Sequence, residues 1–177
     1  MDDLRSLEKQ LVKELASLLR PYGFSHQGSG QSFRLARPFG WASIHLAFVK
    51  HPPIDFDVIV NASLRIDAVQ DAIQDRDGLI SASDRKNSAT VGSELGNLKG
   101  TGQQRWTISS AADVGPVARA MLTECESTLL PFIEKFSDLA VLEEFLAKDD
   151  MPAKLLSPFD EKRRKTVAAL SRLTGKH

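Results

Sequence analysis

Four polar residues in the first half of the chain have the side-chain types needed to bind an anion. Arg34 supplies a positive charge, His45 a titratable imidazole, and Ser43 and Asn61 a hydroxyl and an amide that can donate hydrogen bonds. Each stands in a segment where apolar and polar residues alternate, which is typical of a strand with one covered face. We therefore expect the four on the polar face of one sheet, binding a small anion or a partner's acidic side chain.

The same four residues also fit a face that is only solvated, because antiparallel sheets commonly carry polar side chains on the side turned to water. The sequence predicts no catalytic residue and no cofactor. Dinucleotide-binding, phosphate-loop, zinc-protease and serine-hydrolase motifs are absent. No metal site is predicted either, since the four histidines are scattered and would have to be assembled from distant strands.

Three alternating segments within residues 31–66 predict the strands that carry this face. Between the first two, residues 37–40 have proline second and glycine fourth, which suits a type I turn. Folding there places Phe33 opposite Ile44 and Arg34 opposite Ser43. The apolar residues of both strands then share one face, and the polar residues share the other.

The second turn must contain an odd number of residues, because a slip of one residue would move every side chain to the opposite face. A turn of five residues, 50–54, meets this condition. It predicts Phe48 opposite Phe56, and Asn61 opposite Ser43. The four candidate residues would then form one compact group.

The remaining elements follow from apolar periodicity and capping residues. A helix over residues 4–19 ends at Pro21, and a short helix follows Asp67. Residues 76–103 are rich in glycine and small polar residues, and we expect one strand there, near residues 88–95, between turns. A fifth strand spans residues 105–109.

The last third of the chain is predicted to be helical. Ser110 with Asp113 caps a helix that breaks near Leu130 because of Pro131, Ser137 or Asp138 caps the next, and Ser157-Pro158 starts the last. The fold class is α+β, a curved antiparallel sheet of four or five strands with helices packed on one face. We expect residues 1–150 to form a single domain and residues 151–177 a C-terminal helical extension.

Composition is that of an ordinary soluble domain. Of 177 residues, 42% are hydrophobic and 26% charged, and 23 basic residues balance 23 acidic ones, so no global field favours nucleic acid or a membrane. The single cysteine, Cys125, lies in an apolar helical stripe and is expected to be a buried thiol. No apolar run is long enough to span a bilayer. We expect a bacterial-type protein of the cytoplasm.

Charge is nevertheless segregated along the chain. The last segment contains the run Lys162, Arg163, Arg164 and Lys165, after an acidic stretch that ends at Asp150. One interpretation is a weak basic patch that reaches phosphate or an acidic partner. The other is that this helix lies against the chain's own acidic helices or is merely solvated.

The order of these features resembles the bacterial family called domain of unknown function 4304, over roughly residues 4–148. The resemblance rests on short motifs: Gly23-Phe24, Phe33, Ile44-His45-Leu46, the alternating segment from Phe56 to Asn61, Gly96-Asn97-Leu98, Trp106, and the block from Leu130 to Asp138. It implies the same fold and carries no catalytic residue. We expect a non-enzymatic protein-binding module, for which the resemblance suggests an immunity-like role. The alternative is an enzyme or small-ligand binder that uses the polar face of the sheet.

Overall fold

A six-stranded antiparallel sheet forms the centre of the computed structural model, which describes residues 3–28, 30–73 and 81–175. Its strands are β1 (Ser25–His26), β2 (Ser32–Arg37), β3 (Gly40–His51), β4 (Asp55–Ile66), β5 (Val91–Glu94) and β6 (Trp106–Ile108). The order is β1-β2-β3-β4-β5, and β6 pairs with β4 beside the residues that pair with β5. The predicted α+β class is confirmed, with the two-residue β1 as an additional strand.

Helices surround this sheet. They are α1 (Leu4–Leu19), α2 (Asp67–Ile73), α3 (Ala82–Asn87), α4 (Leu95–Lys99), α5 (Ala111–Glu124), α6 (Leu130–Ser137), α7 (Leu139–Ala147), α8 (Met151–Leu156) and α9 (Asp160–Leu173). The apolar sheet face, including Phe33 and Ile44, forms one buried cluster with Leu11 of α1 and Met121 of α5. Burial of these side chains against each other is the main stabilising contribution of the fold.

The first hairpin has the predicted register, with Phe33 opposite Ile44 and Arg34 opposite Ser43. The second turn is odd, as predicted, but its predicted length of five is wrong. It contains only Pro52, Pro53 and Ile54, and the strands extend to a pair between residues 51 and 55. A residue before proline favours an extended backbone, so the chain continues as strand up to the first proline.

The shorter turn shifts the pairing by two residues and keeps every side chain on its predicted face. Leu46 and Phe48 therefore lie opposite Val60 and Val58. Asn61 lies opposite His45 instead of Ser43, which corrects the predicted arrangement of the candidate site. The shift is even, so the separation of the two faces is unaffected.

In the last third of the chain, α5 and α7 begin at their predicted capping residues. Ser110 and Asp113 form a capping box, and the Asp138 carboxylate accepts hydrogen bonds from Ala140 and Val141. A π-helical turn, Cys125–Leu129, lies between α5 and α6 and interrupts their α-helical hydrogen bonding. Pro131, at the start of α6, has no N–H to donate to an α-helical ladder, which accounts for the predicted break.

Three short helices, α3, α4 and α8, were not predicted, because five or six residues are too few to show a helical period. The helix predicted from Ser157-Pro158 begins at Asp160 instead. This helix, α9, packs against α7 and α2. Its Ala169 and Leu170 are buried in the same apolar cluster as the sheet, so the predicted extension contacts the rest of the chain through a buried interface.

Within residues 3–28, 30–73 and 81–175, no helix combines the length and the apolar character that crossing a membrane requires.

Candidate functional site

The polar face of the sheet presents a row of side chains across its three central strands. Arg34 of β2 lies opposite Ser43 of β3, which lies opposite Ser63 of β4. The hydroxyl oxygens of Ser43 and Ser63 are 2.7 Å apart, within hydrogen-bond distance. This row places one cation beside two hydroxyls on a rigid backbone.

Arg34 is held in place by contacts from two elements. Its guanidinium carbon lies 4.3 Å from the centre of the Trp41 ring, and its Nη2 donates to Asn87 Oδ1 at 3.2 Å. Trp41 is itself anchored, because its indole N–H donates to the Lys86 carbonyl of α3 at 3.4 Å. The charge is therefore oriented by an aromatic face and an amide, which are both neutral groups.

Among the described residues, no carboxylate forms an ion pair with Arg34. Its Nε is also buried without a hydrogen-bond partner in that part of the chain. A partly buried guanidinium normally pairs with a carboxylate or phosphate, since its planar donor fork fits two oxygens. Arg34 thus has donor capacity that the described residues do not use.

The row opens into a polar pocket of about 380 Å³, which we call the Arg34 pocket. Its lining comes from the sheet, from the connector before β2 and from the end of α3: Gln27, Ser32, Arg34, Trp41, Ser43, Ser63, Asn87 and Ala89. Hydroxyl and amide groups around a single cation can donate hydrogen bonds to an oxyanion. The Arg34 pocket can therefore bind a carboxylate or a similar oxyanion.

Two of the four predicted residues, Arg34 and Ser43, line the Arg34 pocket, and the other two lie in the next row. His45 is opposite Ser32, and its Nδ1 is 2.9 Å from the Ser32 hydroxyl. Asn61 is opposite His45 on one side and Glu94 on the other. All four share a face, and the binding role given to them stays a prediction.

Six lining residues are not among the predicted site residues, and three of them, Ser63, Trp41 and Asn87, contact Arg34 or Ser43. Ser63 stands at an outward position of the predicted third strand, so alternation alone could have found it once the register was known. Trp41 precedes the predicted second strand, so the alternation of that strand assigns it to neither face. Asn87 comes from a helix that has no periodic signal, so no sequence pattern places it beside Arg34.

The predicted basic patch does not form one surface. Arg163 is only 3% exposed, and its guanidinium is bound by the carboxylates of Asp149 and Asp160 and by the Ser157 carbonyl. A hydrogen bond to Asp160 is the main reason that the pKa of Arg163 is raised. Hydrogen bonding to Arg163 in turn lowers the pKa of Asp149.

The neighbouring lysines are also engaged. Lys162 donates to the Ala89 carbonyl at 2.7 Å, and burial lowers the pKa of its ammonium group. Lys165 pairs with Glu161 at 2.8 Å on the same helix. Lys162 and Arg163 therefore attach α9 to the rest of the chain, whereas Arg164 and Lys165 are exposed on its surface.

Cys125 lies at the start of the π-helical turn with only 2% of its surface exposed. Burial, with a smaller contribution from Glu124 and Glu126, raises the pKa of its thiol to about 12. Since the thiolate is the reactive form, this environment suppresses nucleophilic chemistry.

We expect Cys125 to react slowly with Ellman's reagent in the native protein at pH 8 and rapidly in guanidinium chloride, because both burial and the raised pKa disappear on unfolding. Absorbance at the nitrothiobenzoate band measures both rates in one sample. Rapid native labelling would contradict the inward orientation of this side chain.

Among the described residues, no group of three or more histidine, cysteine or acidic side chains is placed to hold a metal ion. Comparison of the chain with protein-family models, with curated proteins and with solved structures finds no match. The resemblance to domain of unknown function 4304 therefore stays a prediction.

Proposed function

We propose that this protein is a non-enzymatic binding module whose Arg34 pocket receives an acidic side chain of a protein partner. The observation that carries the proposal is an oriented guanidinium, bordered by hydroxyls and an amide, that pairs with no carboxylate of the described residues. Such a site is preorganised for an anion, so little side-chain entropy is lost when the anion binds.

The shape of the site supports a side chain over a larger ligand. A pocket of about 380 Å³ is near the lower end of the roughly 300–1,000 Å³ that small-molecule sites occupy. A free small anion offers the same chemistry as a carboxylate side chain and is the alternative occupant. The immunity-type role implied by the family resemblance is one form of such partner binding, and a bacterial cytoplasmic setting belongs to the same proposal.

Arg34→Met is expected to weaken partner binding by about 2–5 kcal/mol, the usual cost of truncating one side of a buried charge pair at an interface. Methionine retains an unbranched apolar stem that can still lie on the Trp41 ring, so the folded state should be little changed. The measurement is quantitative cross-linking and mass spectrometry of proteins retained by each variant, followed by titration with the recovered partner.

Arg37→Met is the matched control, because Arg37 is an exposed arginine on the same strand. Retention of the same partners by both variants would contradict the proposal.

A second measurement distinguishes an acidic side chain from a free small anion as the occupant. In an NMR titration with sodium acetate, binding in the Arg34 pocket should shift the Trp41 indole signal and leave that of Trp106 unchanged. An acetate-dependent shift without any Arg34-dependent partner would identify a small-anion binder instead.

A further inference from the structure

The outward side of α1 carries three basic residues at a spacing of four: Arg5, Lys9 and Lys13. Residues four apart on a helix lie on one face and about 6 Å apart along its axis. The three side chains therefore form a positive stripe about 12 Å long. We call it the α1 stripe.

This arrangement is unfavourable for the helix itself. Like charges four residues apart destabilise a helix by a few tenths of a kcal/mol per pair. Basic residues near an N-terminus also oppose the helix dipole, and α1 has no acidic residue in its first turn. Sequences depart from such local helix preferences mainly where a surface has a function, such as binding, that is separate from stability.

The cations of the α1 stripe have no ion-pair partner among the described residues. None of Arg5, Lys9 and Lys13 forms an ion pair with another described residue. Of the two acidic residues within α1, Glu8 pairs with Lys50 of β3 at 2.8 Å, and Glu14 forms no ion pair with a described residue. The positive charge of the stripe is therefore available to a partner.

The α1 stripe borders a groove of about 570 Å³ between α1 and the adjoining end of the sheet. Its apolar lining is provided by Val12, Ala16 and Phe48, and its opposite side by His26, Gly30 and Gln31. Four basic residues and one acidic residue line it, although basic and acidic residues balance over the whole chain. We call this feature the α1 groove.

We propose that the α1 groove binds an extended acidic segment of a protein partner, with acidic residues at every second position and apolar residues between them. Alternate side chains of an extended peptide repeat every 6.6 Å or so, close to the spacing of about 6 Å between successive cations of the stripe. Successive side chains of a strand point to opposite sides, so the apolar residues would face the sheet side of the groove, where Phe48 lies. A nucleic acid strand also carries regular negative charge, but it offers no aliphatic side chains for this lining.

The α1 groove shares no lining residue with the Arg34 pocket and lies on the other face of the sheet. The buried leucines of α1 pack on the apolar face of the sheet, in the cluster that contains Phe33, whereas Arg34 projects from the polar face. A partner segment in the α1 groove therefore leaves the pocket accessible, and the two proposals can fail separately.

The test uses the full-length protein and a fluorescein-labelled peptide of alternating glutamate and leucine with three glutamates. Fluorescence anisotropy should show binding that weakens about ten-fold in the double variant Lys9→Gln/Lys13→Gln, since exposed ion pairs are individually modest. The matched control is Lys148→Gln/Arg164→Gln, which removes the same charge from exposed positions elsewhere and should leave affinity unchanged. Binding should also fall steeply with added salt.

Four further results bear on the proposal. A peptide with serine in place of leucine should bind more weakly, and equal affinity would overturn the role of the apolar lining. Tighter binding of a single-stranded oligothymidine than of the peptide would overturn the choice of partner. Equal weakening of peptide binding by both double variants would show that only the net charge of the protein matters, which would overturn the α1 groove as the site. The Arg34→Met variant should bind the peptide like the unaltered protein, which distinguishes failure here from failure of the Arg34 pocket.

Discussion

Leu170→Ala in α9 is expected to lower the free energy of unfolding by about 2–5 kcal/mol, because the leucine is buried and alanine would leave a cavity. The loss is large beside the roughly 5–15 kcal/mol by which domains of this kind are stable. Urea unfolding followed by circular dichroism measures it. The result bears on whether residues 151–177 are an extension or part of the core.

The same helix offers the control. Leu173 is 44% exposed, so Leu173→Ala makes the same chemical change at the surface and should alter stability by no more than about 0.5 kcal/mol. A chain that ends at Phe159 should lose more than either variant, since it lacks Ala169, Leu170 and the buried Arg163 together. Equal effects of the two leucine changes would mean that α9 does not pack as described.

Gly96→Ala in α4 is expected to destabilise the protein by about 3 kcal/mol, near the upper end of the usual cost of overpacking. A Cβ atom at this position would overlap the Gly102 carbonyl oxygen and would lie 2.9 Å from the Gln104 amide nitrogen. Both are backbone atoms and cannot rotate away. Relief would separate the Glu94 carboxylate from the Gly96 and Gln104 amides that it joins at 3.0 and 3.2 Å.

Gly115→Ala is the matched control without a backbone overlap. Gly115 lies inside α5, and the nearest atom to an added Cβ is in the Arg119 side chain at 3.4 Å, an ordinary contact. The usual preference for alanine over glycine in a helix, roughly 0.5–1 kcal/mol, is opposed by the ring of Pro116, which disfavours a helical residue with a Cβ before it, so stability should change much less than in Gly96→Ala. A stabilising or neutral Gly96→Ala would contradict the close approach of α4 to the loop before β6.

Local patterns in the sequence determined the features that depend on neighbouring residues. Alternation from Phe56 to Arg65 predicted which side chains lie on which face, and the odd length of the second turn followed from it. Ser110 with Asp113, and Asp138, marked helix starts because a cap is formed by residues within one helical turn. These interactions are close in sequence, so their geometry is implied by spacing alone.

Tertiary structure decided where distant parts of the chain meet. The pairing of β3 with β4 placed Asn61 beside His45 instead of Ser43. Asn87 reaches Arg34 from a helix with no periodic signal, and the buried Arg163 of α9 binds the carboxylate of Asp149, which precedes α8. Such contacts join residues up to 53 positions apart, and they depend on packing over the whole sheet. The residue types of the Arg34 pocket are therefore visible in the sequence, but their convergence is a property of the folded chain.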